Sequence, residues 1–88
     1  MQLVLSASKA SPGNSFTLAG GVAFAHCDTH NGGTWALEVQ SPGGVWTDAD
    51  VEFTGVGIQR FYTHQGALCR FSGGTTGARI YCTNVLRI

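Results

Sequence analysis

The sequence has little charge of either sign. Its 88 residues include five basic and five acidic side chains, so the formal net charge is zero. A surface that binds duplex nucleic acid needs a dense cationic footprint, and we therefore predict no nucleic-acid partner. Hydrophobic residues make up 43% of the chain and charged residues only 11%, which is the opposite of a disordered composition. A surface with so little charge favours association with other molecules.

The chain also lacks a long apolar run. The longest run covers residues 22–25, far short of the roughly 20 residues of a membrane-spanning helix. Residues 1–20 show no signal-peptide pattern. We therefore predict that the protein is synthesised in a cytoplasm and that it does not contact a membrane. No window of 11 residues repeats its apolar positions every 3.6 residues, and thirteen glycines argue against a long helix.

The number of cysteines, three, argues against a disulfide framework. Cys27, Cys69 and Cys82 are an odd set in a chain without a secretory signal. We expect buried free thiols that pack as small apolar side chains. A bond between Cys69 and Cys82 on adjacent strands is the open alternative.

No group of residues has the spacing of a catalytic or metal site. His26, Cys27, Asp28 and His30 offer metal-binding side chains within five positions, but neighbouring strand residues face opposite sides of a sheet. The same Cys, His and Asp residues could form a nucleophilic triad, but the sequence around them shows no nest of backbone amides to bind an oxyanion. The glycine pairs precede neither a helix nor a Lys-Ser/Thr pair, so they form no phosphate loop. We predict no enzyme activity, no metal and no cofactor.

A hairpin over residues 33–46, with the sequence GTWALEVQSPGGVW, organises the chain. Trp35, Leu37 and Val39 alternate with polar or small residues, a period of two that gives a strand one apolar face. The segment Ser-Pro-Gly-Gly at 41–44 then has the composition of a tight turn. Trp46 follows in a second strand, so the predicted hairpin carries both tryptophans.

The remaining pattern predicts an all-β protein. About eight short strands alternate with turns every 8–12 residues, which is typical of a β-sandwich or a jelly-roll-like barrel of antiparallel strands. We predict that residues 1–88 form a single all-β domain, because the chain is too short for a second core. The strand predicted at residues 58–63 is apolar on both faces, with Ile58 and Tyr62 on one side and Phe61 on the other. Either a neighbouring chain covers the second face, or its aromatic side chains stay exposed.

The charges are segregated along the chain. All five acidic residues lie between positions 28 and 52, and four arginines follow them. Two interpretations stay open: ordinary cross-strand pairs within the chain, or an acidic edge that meets a basic edge of the next subunit. Asp48, Asp50 and Glu52 alternate along one strand, and such residues usually form its solvent-facing side.

Two segments carry a resemblance to a known group of proteins. Residues 33–46 and the following VEFTGVGIQRFYTHQGALCRFSGGTTGARIY resemble small β-sandwich structural proteins of tailed bacteriophages. The resemblance implies a capsid decoration (cement) protein that binds the major capsid protein of the assembled shell and stabilises it. It further implies a homotrimer located on the capsid surface of the virion and assembled in the host cytoplasm. We expect residues 1–14 to clasp the shell.

The same resemblance, together with the two-faced strand, implies a set of contact residues. These subunit or capsid contacts are Arg60, Phe61, Tyr62 and Arg70. The alternative function is a carbohydrate- or receptor-binding module of a phage tail or adsorption apparatus. Its predicted ligand face consists of Trp35, Trp46, Asp48, Asp50 and Glu52.

Overall fold

The computed structural model describes residues 2–6, 12–64 and 66–84, and these residues form eight β-strands and no helix. The strands, in chain order, are β1 Gln2–Leu5, β2 Phe16–Leu18, β3 Gly21–Thr29, β4 Gly33–Gln40, β5 Trp46–Phe53, β6 Gly57–Thr63, β7 Ala67–Gly74 and β8 Arg79–Asn84. The described part of the chain therefore contains no helix that is able to span a bilayer.

The strands form two four-stranded antiparallel sheets. Sheet A has the order β1-β8-β3-β6, and sheet B has the order β2-β7-β4-β5. Strand β1 pairs with β8, β2 with β7, β3 with β6 and β4 with β5, so four nested pairs alternate between the sheets. This winding is that of a jelly roll. The predicted all-β sandwich of about eight short antiparallel strands is confirmed.

The β4–β5 hairpin forms where the sequence predicts it. The Ser41 amide donates to the Val45 carbonyl at 2.8 Å, and the Gly44 amide donates to the Ser41 carbonyl at 2.9 Å. Gly44 has a φ of 91°, which a residue with a side chain rarely adopts. Trp35 pairs with Phe53 on the inner side of sheet B, and Trp46 belongs to the outer side. The two tryptophans therefore face opposite directions.

The core lies between the two sheets, and the buried residues among those described are all hydrophobic. Phe71 of β7 is at its centre, with ring centroids 6.2 Å from Phe16 and 6.0 Å from Phe53. The indole of Trp35 is fully buried. It lies against Gly74, where a Cβ would overlap the ring. Gly74 thus gives Trp35 its space.

All three cysteines are buried, unpaired thiols, which confirms their prediction as small apolar core residues. Cys27 and Cys82 belong to sheet A and Cys69 to sheet B. The Cys27 thiol donates to the Thr29 carbonyl at 3.3 Å, and burial raises the pKa of Cys27 above its usual value.

The N-terminal segment predicted to clasp a shell is described only in part. Positions 1 and 7–11 lie outside the described residues. Val4 and Leu5 are buried core residues, and β1 is paired with β8 along sheet A. The Gly13 amide donates to the Phe71 carbonyl at 2.8 Å. These described parts of the segment are integral to the sandwich.

Candidate association surfaces

The outer side of sheet A carries a continuous row of apolar and aromatic side chains. Leu3, Tyr81, His26 and Ile58 are aligned across all four strands by the strand register. Leu3 is 47% exposed and Ile58 is 62% exposed. We call this side the sheet A face, which consists of Leu3, Phe24, His26, Ile58, Arg60, Tyr62, Arg79, Tyr81 and Thr83.

The sheet A face continues toward the far end of β6. Phe24 pairs with Arg60, and Tyr62, the next outward residue of β6, is 69% exposed. Monomeric proteins rarely leave a large contiguous apolar patch in water, and such patches usually mark contacts with other molecules. The sheet A face therefore has the composition of an interface.

The charges of the sheet A face are mostly basic. Arg60 and Arg79 are exposed and form no ion pair within the described residues. Asp28 is at a bulge of β3 near Arg79, where its carboxylate accepts a hydrogen bond from the Thr29 hydroxyl at 3.0 Å. The sheet A face thus combines apolar side chains with unpaired arginines.

The outer part of β5 carries the opposite charge. Asp48, Asp50 and Glu52 are all exposed, and none forms an ion pair within the described residues. Val45, directly before β5, is 64% exposed, and Val56, in the following turn, is 68% exposed. We call these five residues the β5 surface.

The three carboxylates do not follow the regular alternation that the sequence predicts. Glu38 of β4 pairs with Asp48 and Ala36 pairs with Glu52, so β5 has two more residues than β4 in this interval. Asp50 has a φ of 58°, and its amide donates to the Asp48 carboxylate at 2.8 Å. The extra residues form a bulge, which bends β5 locally.

A cleft of about 610 Å³ separates β5 from β6. Asp48 lies on its sheet B side and Tyr62 on its sheet A side, so it connects the two surfaces. Several of its polar groups already bond to the backbone. The Thr63 hydroxyl donates to the Ala19 carbonyl, and the Gln40 amide donates to the Gly44 carbonyl, both at 3.2 Å. These two lining side chains are thus already engaged within the protein.

The predicted contact residues fall in three different places. Arg60 and Tyr62 lie together on the sheet A face, but Phe61 is 5% exposed and faces the core. Arg70 lies on the outer side of sheet B. Its Nε donates to a Glu38 carboxylate oxygen at 2.8 Å. The structure therefore leaves Arg60 and Tyr62 as a common surface, without Phe61 or Arg70.

The predicted ligand face is also divided. Trp35 is a core residue with no exposed surface. Trp46 lies on the outer side of sheet B, where the Arg70 guanidinium carbon is 4.1 Å from the centre of its ring. A cation in this position interacts with the ring face. The two indoles therefore form no common platform for a sugar ring.

The described residues contain no cluster of three or more histidine, cysteine or acidic side chains arranged to hold a metal ion. Comparison with known proteins gave no match to a protein family, to a curated protein or to a solved structure. The functional argument therefore depends on the surfaces described above.

Proposed function

We propose that the protein is a structural assembly module that associates through its sheet A face, and that it serves as a capsid decoration protein on a virion surface. The observation that carries this proposal is the exposure of Leu3, Ile58 and Tyr62 on one side of one sheet. Three parts of the proposal come from the sequence resemblance to phage structural proteins: the location on a virion, the major capsid protein as partner, and the trimeric state.

The dimensions of the domain support an assembly role. The molecule measures 30 × 29 × 19 Å along its principal axes, so each sheet presents a broad face on a thin sandwich. A stable protein interface buries about 800 Å² of each partner. One face of this sandwich is large enough for such a contact, and its apolar side chains are suited to burial.

The polar surface supports assembly better than ligand binding. On the outer side of sheet B, Arg70 is engaged by Glu38 and covers Trp46. In this arrangement the Arg70 guanidinium occupies one face of the Trp46 ring, where a sugar would otherwise stack. The sheet A face has no comparable internal pairing of its arginines within the described residues.

The test is the protein content of virions. Particles produced from the genome that encodes the chain are purified and analysed by mass spectrometry. We expect the chain in constant proportion to the major capsid protein. We expect Tyr62→Asp to lower this occupancy at least tenfold, because it places a charge in the apolar contact.

Thr17→Asp is the matched control, since Thr17 is an exposed strand residue of sheet B. Its occupancy should equal that of the unmodified chain. Particles without the chain should lose their contents at a lower temperature. Purified virions that contain none of the chain would refute the decoration role.

A further inference from the structure

We infer that the sheet A face of one copy binds the β5 surface of a second copy, so that identical chains associate head to tail. The inference rests on the proposed function, because it names the partner that covers the same face. A head-to-tail contact repeats around a ring when its rotation closes, and a trimer is the smallest ring of this kind beyond a dimer.

The exposed apolar side chains divide between the two surfaces. Five large apolar side chains are exposed among the described residues. Leu3, Ile58 and Tyr62 lie on the sheet A face, and Val45 and Val56 flank β5. Each surface therefore brings apolar area to the contact, and burial of that area is the main driving force of association.

The charges of the two surfaces are complementary. Arg60 and Arg79 are unpaired on the first surface, and three carboxylates are unpaired on the second, within the part of the chain that the structure describes. Of the ten charged side chains in the sequence, only Glu38 and Arg70 form an ion pair among the described residues. Most of the charged side chains that the structure describes therefore form no ion pair within the chain, and pairing between copies would supply one.

A symmetric contact of the sheet A face with itself is less favourable. Such a contact would bring the arginines of two copies together without a carboxylate to match Arg60. Extension of sheet B through the edge strand β5 is also blocked. The bulge at Asp48 and Asp50 and the exposed carboxylates interrupt the edge that a second strand would need.

The experiment uses charge reversal on each surface. The first variant carries Asp48→Lys and Glu52→Lys, and the second carries Arg60→Glu and Arg79→Glu. All four positions are exposed in the structure. Circular dichroism checks that each variant keeps the fold, because Asp48→Lys also removes the carboxylate that accepts the Asp50 amide. Sedimentation velocity then measures association at low and high salt.

The unmodified chain should form oligomers that weaken at high salt, because charge interactions are screened. Each variant alone should associate at least tenfold more weakly. An equimolar mixture should regain association, because each variant contributes one unmodified surface to the other. Thr17→Asp should behave as the unmodified chain.

Two results would overturn the inference. One is an unmodified chain that stays monomeric at every concentration, and the other is a lysine variant that associates as strongly as the unmodified chain. The virion measurement is independent of both. A monomer that is nonetheless present in virions would leave the decoration role standing and remove the head-to-tail contact.

Discussion

Replacing Gly74 by alanine is expected to destabilise the protein more than any surface substitution. A Cβ at this position would overlap the Trp35 indole, which is fully buried. Extra atoms in a packed core usually cost about 1–3 kcal/mol. The total stability expected for a chain of this length is about 4–13 kcal/mol. We expect a loss near 3 kcal/mol in urea unfolding.

Gly57→Ala is the matched control. Gly57, like Gly74, is a terminal residue of a strand, but a Cβ at Gly57 would meet no atom within 4 Å. Its effect should stay within about 0.5 kcal/mol. Combining Gly74→Ala with Trp35→Phe should cost less than the sum of the two single changes, because the smaller ring relieves the overlap. Equal stability of the Gly74 and Gly57 variants would show that Trp35 packs elsewhere.

The second large effect is a loss of stability in alkaline solution. Burial raises the pKa of the Cys69 thiol from 9.0 to about 11. Burial, together with the nearby Cys69, raises the pKa of the Cys82 thiol to about 12. Above pH 9 the unfolded chain loses these protons while the folded chain keeps them, so rising pH favours unfolding. The contribution of the two thiols is complete below pH 9 and disappears as pH approaches 12.

The measurement is the free energy of unfolding in urea at pH 8 and pH 10.5. A variant with Cys69→Ala and Cys82→Ala provides the reference for every other group that titrates in this range. It should be less stable at pH 8, because two buried side chains are shortened. Its stability should nevertheless fall less between the two pH values. Parallel losses in both proteins would contradict the burial of the thiols.

Local pattern was sufficient to predict much of the fold. The alternation of Trp35 and Leu37 with smaller or polar residues identifies β4 and its inward face. The Ser-Pro-Gly-Gly turn then fixes the hairpin with β5, because few residue types adopt its backbone conformation. These features are predictable because the interactions that determine them lie within a few residues.

The sheet A face was not predictable in the same way. Leu3, Tyr81, His26 and Ile58 are brought into one row by strand pairing between the two ends of the chain. No local signal specifies which distant strands pair. The two extra residues of β5 were missed for a related reason. A bulge depends on the register with β4, which composition does not reveal.

The contact residues Arg60, Phe61 and Tyr62 illustrate the limit of grouping neighbours in sequence. The same alternation that makes β6 a strand turns Phe61 into the core and its two neighbours outward. Arg70 was predicted in the same set, but the pairing of β7 with β4 places it beside Glu38 on the other sheet. Which of these residues share a surface is decided by the pairing of strands that are distant in sequence.

The central claim is that the sheet A face is buried when the protein associates. Tyr62 and Tyr81 are the two tyrosines of the chain, and both belong to this face. The most direct measurement is therefore their rate of nitration, located by mass spectrometry, in dilute and in concentrated protein. Both tyrosines should react at least tenfold more slowly in the oligomer, and as fast as in dilute protein when Asp48→Lys and Glu52→Lys prevent association. An oligomer with both tyrosines fully reactive would contradict the account.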